Sequence, residues 1–183
     1  MIYRPDRLKG IEVYVDADFA GGWDPTDPMN AESIYSRTGY AICYAGCPVY
    51  WQSKLQTEIA LSTAEAEYMA LSQALRETLP TSNLMKEINV IFPLYLPSPR
   101  FIIKIREDNQ SCIAMASNPK FSPRTRHIAI KYHHFRKHVI TRTNPDGFIQ
   151  IEYCSTDDQI ADIFTKPVCD DIFLKLRKLL LCW

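Results

Sequence analysis

The sequence predicts an α/β domain, and three observations carry that prediction. Apolar residues alternate with period two from Ile11 to Asp16, and two more short apolar runs follow, which together give an antiparallel meander over residues 11 to 61. The pattern then changes to helical spacing at Ser62-Thr63-Ala64-Glu65, an S-x-x-E capping signature. Beyond it, strand-like runs at Phe101 to Glu107 and Phe148 to Cys154 alternate with helical segments.

Each element has a local cause. The first strand ends in Asp16 and Asp18, and a Gly, Pro and Asp-rich loop runs from Gly21 to Asn30. Thr38 to Tyr44 and Cys47 to Ser53 form the next two strands around a turn at Ala45-Gly46. After the capping signature, Glu67, Ala70, Leu71, Ala74 and Leu75 recur at helical spacing. Pro80 lacks an amide hydrogen and clashes with the preceding turn, so it is expected to break or kink this helix, with Leu84, Ile88 and Ile91 marking a second segment. Phe101 to Glu107 reads as a buried strand ending in Asp108-Asn109-Gln110, followed by a short helix. Ile128, Tyr132, Phe135 and Val139 fall at i, i+4, i+7 and i+11, which predicts a helix packing that stripe inward and presenting Lys131, His134 and His138 on its other face. Thr156-Asp157-Asp158-Gln159 reads as a second capping box, opening a helix that contains Asp162 and stops before Pro167. The last segment, Asp171 to Leu181, is amphipathic through Ile172, Phe173, Leu176, Leu179 and Leu180.

Composition bounds the function. The 183 residues are 46% apolar, with 21 basic against 21 acidic groups, which suits one globular domain and excludes a disordered chain. No stretch reaches the roughly 18 apolar residues of a membrane helix, and the N-terminus has no apolar core of a secretory signal. The six cysteines sit mostly in apolar runs and are read as reduced, in an intracellular compartment. Net neutrality hides an asymmetry. From Lys120 to Arg142 the chain holds seven Lys or Arg and all four histidines but no acid. Such a stretch suits the phosphates of a polyanion, while the acids gather elsewhere for work that needs negative charge; a solvated helix face is the plainer explanation.

Four carboxylates stand where strands end or helices begin: Asp16, Glu67, Asp108 and Asp162. Glu67 falls within the apolar stripe of its helix, whereas Glu65 is accounted for as the capping partner of Ser62. A core-facing carboxylate needs a partner, and four acids meeting without basic neighbours repel each other unless cations sit between them. Magnesium suits such oxygen ligands, with manganese as its substitute. Taken singly, each of these acids is more simply a turn former. Asp18 shares the face of Asp16 and is the alternative to it.

Seven ordered motifs then carry a resemblance: Tyr14 to Gly21, Ser36 to Tyr40, Trp51 to Gln56, Ala60 to Ala70, Asp108 to Ser111, Arg124 to Ile128 and Asp158 to Pro167. Together they resemble the ribonuclease H domain at the C-terminal end of copia-type retrotransposon Pol polyproteins. The match covers residues 9–183 including the amphipathic C-terminal helix. Residues 1–8 resemble the tail of the connection from the reverse transcriptase, so the chain is read as a piece of a larger polyprotein.

The resemblance implies a ribonuclease H-like fold, a five-stranded mixed sheet with helices on both faces. It assigns catalysis and metal binding to Asp16, Glu67, Asp108 and Asp162, around two magnesium ions about 4 Å apart. The implied activity is hydrolysis of the RNA strand of RNA–DNA hybrids during reverse transcription, in the cytoplasm or in virus-like particles. The reverse transcriptase and integrase portions of the parent polyprotein are the implied partners. Gln56, Asn109 and Gln110 are candidates for reading 2′ hydroxyls, Lys54 for the backbone, and Arg126, His127 and Lys131 for hybrid phosphates. One departure is visible. Many ribonucleases H carry a histidine just ahead of the last catalytic Asp, and Glu152 to Thr156 has none here, His127 being the nearest substitute. A catalytically inactive nucleic-acid-binding or structural remnant is the alternative function. Integrases and exonucleases share the fold but fit the motifs around Glu67 and Asp162 less well, and zinc at Cys43 and Cys47 lacks a second ligand pair.

Overall fold

A computed structural model describes residues 4–6, 8–27, 30–92, 101–118, 128 and 130–181. Five strands form one mixed sheet: β1 (Ile11–Asp18), β2 (Arg37–Tyr44), β3 (Cys47–Leu55), β4 (Ile103–Glu107) and β5 (Ile149–Tyr153), in the spatial order β3-β2-β1-β4-β5. The first three run antiparallel, and β4 and β5 are parallel to β1. Ala45 and Gly46, at φ of 52° and 76°, make the tight β2–β3 turn. Helix α1 (Thr63–Ile91) and helix α2 (Gln110–Ser117) cover one face, and helix α3 (Asp170–Leu181) with the 3-10 turn Ile160–Phe164 covers the other. No helix among the described residues is long and apolar enough to cross a membrane.

The cap of α1 forms as its sequence requires. Ser62 Oγ accepts from the Glu65 amide at 3.2 Å, and Glu65 Oε2 accepts from the Leu61 amide at 3.0 Å. Pro80, however, does not end the helix, which runs through it to Ile91. The proline lies on the exposed side of the helix. The second segment consequently buries less than its apolar stripe predicts: Leu84 and Ile91 are exposed.

The basic segment differs in a different way. It forms two 3-10 turns, Ile130–His133 and Arg136–His138, instead of one α-helix, yet Ile128, Tyr132, Phe135 and Val139 are all buried against α1. Burial of the stripe, rather than the helical period, decides the path here. The Asp157–Asp162 region also folds as two 3-10 turns, Thr156–Asp158 and Ile160–Phe164. In α3 only Leu176 and Leu180 are buried, while Ile172, Phe173 and Leu179 remain exposed. Cys47, Cys112, Cys154 and Cys169 are free thiols, and no metal-holding cluster among the described residues includes Cys43 or Cys47.

Phe135 is fully buried at 0% exposure and packs on Tyr68 with ring centroids 5.5 Å apart. Replacing it by alanine is expected to cost about 3–5 kcal/mol of stability in urea unfolding. A loss under about 1 kcal/mol would show that this stripe is not core.

Candidate active site

Parallel pairing of β1 and β4 aligns the first two acids. Tyr14 is level with Arg106, so the same register continued by two residues sets Asp16 beside Asp108, just past the end of β4. Both follow the parity of Glu12 and Tyr14, away from α1. The turn Ile160–Phe164 covers that side and brings in Asp162. Asp16, Asp108 and Asp162 each offer an oxygen, all within 4.8 Å of one another.

On the α1 side of the strand end stands a second group. Glu67, in the first turns of α1, meets Glu107, which shares the inward parity of Ile103 and Ile105. Oxygens of Glu67, Glu107 and Asp108 also lie within 4.8 Å of one another. Asp108 is common to both triads, so the cluster wraps around the C-terminal end of β4. Asp18 lies one pleat further along β1 and belongs to neither triad.

Hydrogen bonds fix these side chains. Thr165 Oγ1 donates to Asp16 Oδ2, and Thr156 Oγ1 donates to Asp108 Oδ2 at 2.8 Å. Thr156, expected as a cap, thus serves the acid cluster, and Gln159 caps the next turn instead. Gln159 is fully buried, and its Nε2 donates to the carbonyls of Val15 at 2.9 Å and Arg106 at 3.2 Å, pinning the turn across β1 and β4. From the other side, Ser53 Oγ donates to the Phe164 carbonyl at 2.5 Å. Gly39 on β2 gives the turn room, because a Cβ there would stand 2.5 Å from Thr165 Cγ2 and 2.9 Å from Phe164 Cβ.

The site is not free of basic groups, contrary to the expectation of acids without basic neighbours. Lys166 Nζ lies 3.1 Å from Asp162 Oδ1 and 3.7 Å from Asp16 Oδ1. Burial pushes the carboxyls of Asp16, Glu67 and Glu107 upward, and like charges from neighbouring acids add to the rise. Asp162 is pushed up to about 6 by burial and by Asp16, against the pull of Lys166.

These carboxyls hold protons more tightly in the folded chain than in the unfolded one, where Asp and Glu titrate near about 4. The resulting stability is present at low pH and is lost as pH rises through the folded values, about 6 for Asp162 and about 8 for Glu107. The melting temperature of the metal-free chain is therefore expected to fall from about pH 5 to about pH 8, and magnesium should restore it at the upper end. A flat profile, unchanged by magnesium, would contradict mutual repulsion in the cluster.

The other sequence-derived candidates separate. Gln56 is buried, with Nε2 donating to Thr38 Oγ1 at 3.0 Å and the Ala66 carbonyl at 2.9 Å, so its amide nitrogen clamps β2 to the start of α1. Asn109 Oδ1 caps α2 by accepting from the Ser111 and Cys112 amides at 3.0 and 3.1 Å. Lys54 and Gln110 are exposed. Lys131 is exposed and paired with Glu58. Arg126 and His127 lie outside the described residues. Beside α2, His133, Arg136, Lys137, Thr141 and Asn144 help to line a cleft of about 350 Å³. Sequence reasoning missed Glu107, Gln159 and Lys166. Glu107 was signalled by its parity with Ile105, and Lys166 by its i+4 spacing from Asp162.

A five-stranded sheet of this order, three strands antiparallel, covered on both faces and carrying acids at the ends of β1 and β4, defines an α/β protein of the ribonuclease H-like fold. No family model and no solved structure matches the chain. Curated relatives do. The chain is 34% identical over 161 residues to the retrovirus-related Pol polyprotein from transposon TNT 1-94 of Nicotiana tabacum, covering 88% of this chain. It is 31% identical to the corresponding polyproteins from transposons RE1 and RE2 of Arabidopsis thaliana, over 89% and 86% of this chain. The chain is similar to a segment of these retrotransposon Pol polyproteins, and it spans about 10% of the length of each of them.

Proposed function

We propose that this segment is a divalent-metal-dependent endonuclease that hydrolyses the RNA strand of RNA–DNA hybrids. The observation that carries this reading is the pair of carboxylate triads sharing Asp108, within a ribonuclease H-like sheet and a chain related to transposon Pol polyproteins. The donors fit hard cations. All are carboxylate oxygens, and Oε2 of Glu67 and of Glu107 are buried without hydrogen-bond partners, as oxygens awaiting a cation would be.

Asp16, Asp108 and Asp162 would hold one magnesium ion, and Glu67 and Asp108, with Glu107 beside them, the other; manganese would substitute. Bound there, the cations supply Lewis acidity to the scissile phosphate and lower the pKa of an attacking water. The chain's own part is orientation: Thr165 and Thr156 aim the carboxylates of Asp16 and Asp108, and Gln159 fixes the turn that carries Asp162. Lys54, Gln110 and the basic residues Arg126, His127 and Lys131 are proposed to bind hybrid, with Asn109 acting through the α2 cap that it forms and Gln56 through the clamp that positions Glu67. In the parent polyprotein, reverse transcriptase would deliver the hybrid and integrase would lie in the same chain.

Substrate choice tests it. With equal concentrations of RNA–DNA hybrid, RNA duplex and DNA duplex in magnesium, the hybrid should be cut at least about a hundredfold faster than either duplex. Equal rates on hybrid and RNA duplex would point to a general ribonuclease, and binding without cleavage would favour an inactive remnant.

A further inference from the structure

The two halves of the acid cluster differ in charge. On the Asp16–Asp162 side an ammonium is already in place: Lys166 Nζ bridges both carboxylates, 3.1 Å from one and 3.7 Å from the other. On the Glu67–Glu107 side no Lys or Arg among the described residues forms an ion pair with Glu67, Glu107 or Asp108. Glu67 and Glu107 are only 5% and 0% exposed, and each leaves Oε2 without a hydrogen-bond partner. Glu107 Oε1 accepts from the Asn109 amide at 3.1 Å, and the Cys112 thiol, a weak donor, lies beside the carboxyl. Buried, unpartnered carboxylate oxygens are costly once ionised, so a first cation that displaces their protons relieves this half most.

The other half gains less, because a divalent ion there must compete. Magnesium sits about 2.1 Å from its oxygens, and an ammonium ion-paired with the same carboxylates cannot keep its place beside it. Lys166 can withdraw: its side chain is 35% exposed and flexible, so a route to solvent is open.

We propose that the cluster loads divalent cations unequally and in order. The Glu67–Glu107–Asp108 half fills first with Glu107 as a ligand, and the Asp16–Asp108–Asp162 half fills second, only as Lys166 is displaced. Lys166 is thus a positioning residue, a resident counter-ion that holds Asp16 and Asp162 together until the second cation arrives. The inference rests on reading the cluster as a metal site, and it adds a fifth carboxylate and a built-in competitor to that reading.

Manganese binding to the full chain tests it without reference to cleavage. Free Mn²⁺ is followed by electron paramagnetic resonance through a titration of the parent, Lys166→Met, Lys166→Arg and Glu107→Gln. The parent should show one site at least about tenfold tighter than the other. Lys166→Met should tighten the weaker site about tenfold or more and leave the tighter one nearly unchanged, while Lys166→Arg keeps the parental difference. Glu107→Gln should weaken the tighter site by about tenfold. Lys166→Gln gives the same reading if Lys166→Met does not fold. Two equal sites in the parent, or a charge-removed Lys166 variant whose isotherm overlays the parent's, would overturn ordered loading while leaving the metal site standing. If no variant binds Mn²⁺, the metal reading falls with it.

Discussion

Replacing Asp108 by Asn is expected to reduce magnesium-dependent cleavage of an RNA–DNA hybrid by at least about a thousandfold. Asp108 is the carboxylate that both triads share, so its loss removes one charge from each half of the site. The change preserves shape, and the Thr156 hydroxyl can still donate to the remaining side-chain oxygen. Folding and hybrid binding should therefore survive. In the absence of metal the variant should melt above the parent, because one repelling charge is gone from a crowded, buried cluster. A variant that cleaves at the parental rate would remove Asp108 from the mechanism. One that unfolds would instead make its role architectural.

Gly39→Ala is expected to produce the second largest effect, from a residue that bears no functional group. Its added methyl would meet Thr165 Cγ2 at 2.5 Å, Phe164 Cβ at 2.9 Å and the Ala161 carbonyl at 3.0 Å, so the turn Ile160–Phe164 must move away from β2. That turn carries Asp162, and Thr165 and Lys166 directly follow it. Overpacking of this kind costs about 1–3 kcal/mol of stability. Displacing an aligned ligand by about 1 Å costs on the order of a hundredfold in rate. Thermal melts and cleavage rates measure both losses. Pairing Gly39→Ala with Thr165→Ser removes the closest clashing methyl while keeping the hydroxyl on Asp16, and should recover part of each. An unperturbed Gly39→Ala variant would show that the turn adapts without moving its acids.

The strands and the long helix were legible because each has a local signal. Alternation specified β1, strand-like apolar runs specified β4 and β5, the turn at Ala45-Gly46 specified the hairpin, and Ser62 with Glu65 specified the start of α1. Elements held by tertiary contacts were harder to read. The segment from Ile130 to His138 buries the stripe expected of a helix while following a 3-10 path, because the space against Tyr68 and α1 sets its course. Pro80 shows the converse: a local breaker is tolerated where its helix face is exposed.

The positions of Asp16, Glu67, Asp108 and Asp162 could be read from strand ends and helix starts. The electrostatics that join them could not. Glu107 looked like the last residue of a buried strand, and only its contact with Glu67 across the edge of the sheet gives it a second meaning. Lys166 stands between the last acid and Pro167 in the sequence, and the turn folds it back onto Asp162 and Asp16. Gln56 illustrates the opposite error. A polar residue in a matching motif suggested substrate contact, whereas its side chain is buried between strand and helix.

These carboxylates are proposed to support metal-dependent hydrolysis of RNA paired with DNA. The most direct test uses this chain with a hybrid labelled at the 5′ end of the RNA strand, incubated with magnesium or with a chelator, and resolves the RNA fragments and their end groups. The expected result is internal cleavage only when magnesium is present, leaving 3′ hydroxyls and 5′ phosphates, because water is the nucleophile and the 3′ oxygen is the leaving group. An intact RNA strand at saturating enzyme and magnesium, cleavage that persists in the chelator, or fragments ending in 2′,3′-cyclic phosphate would contradict it.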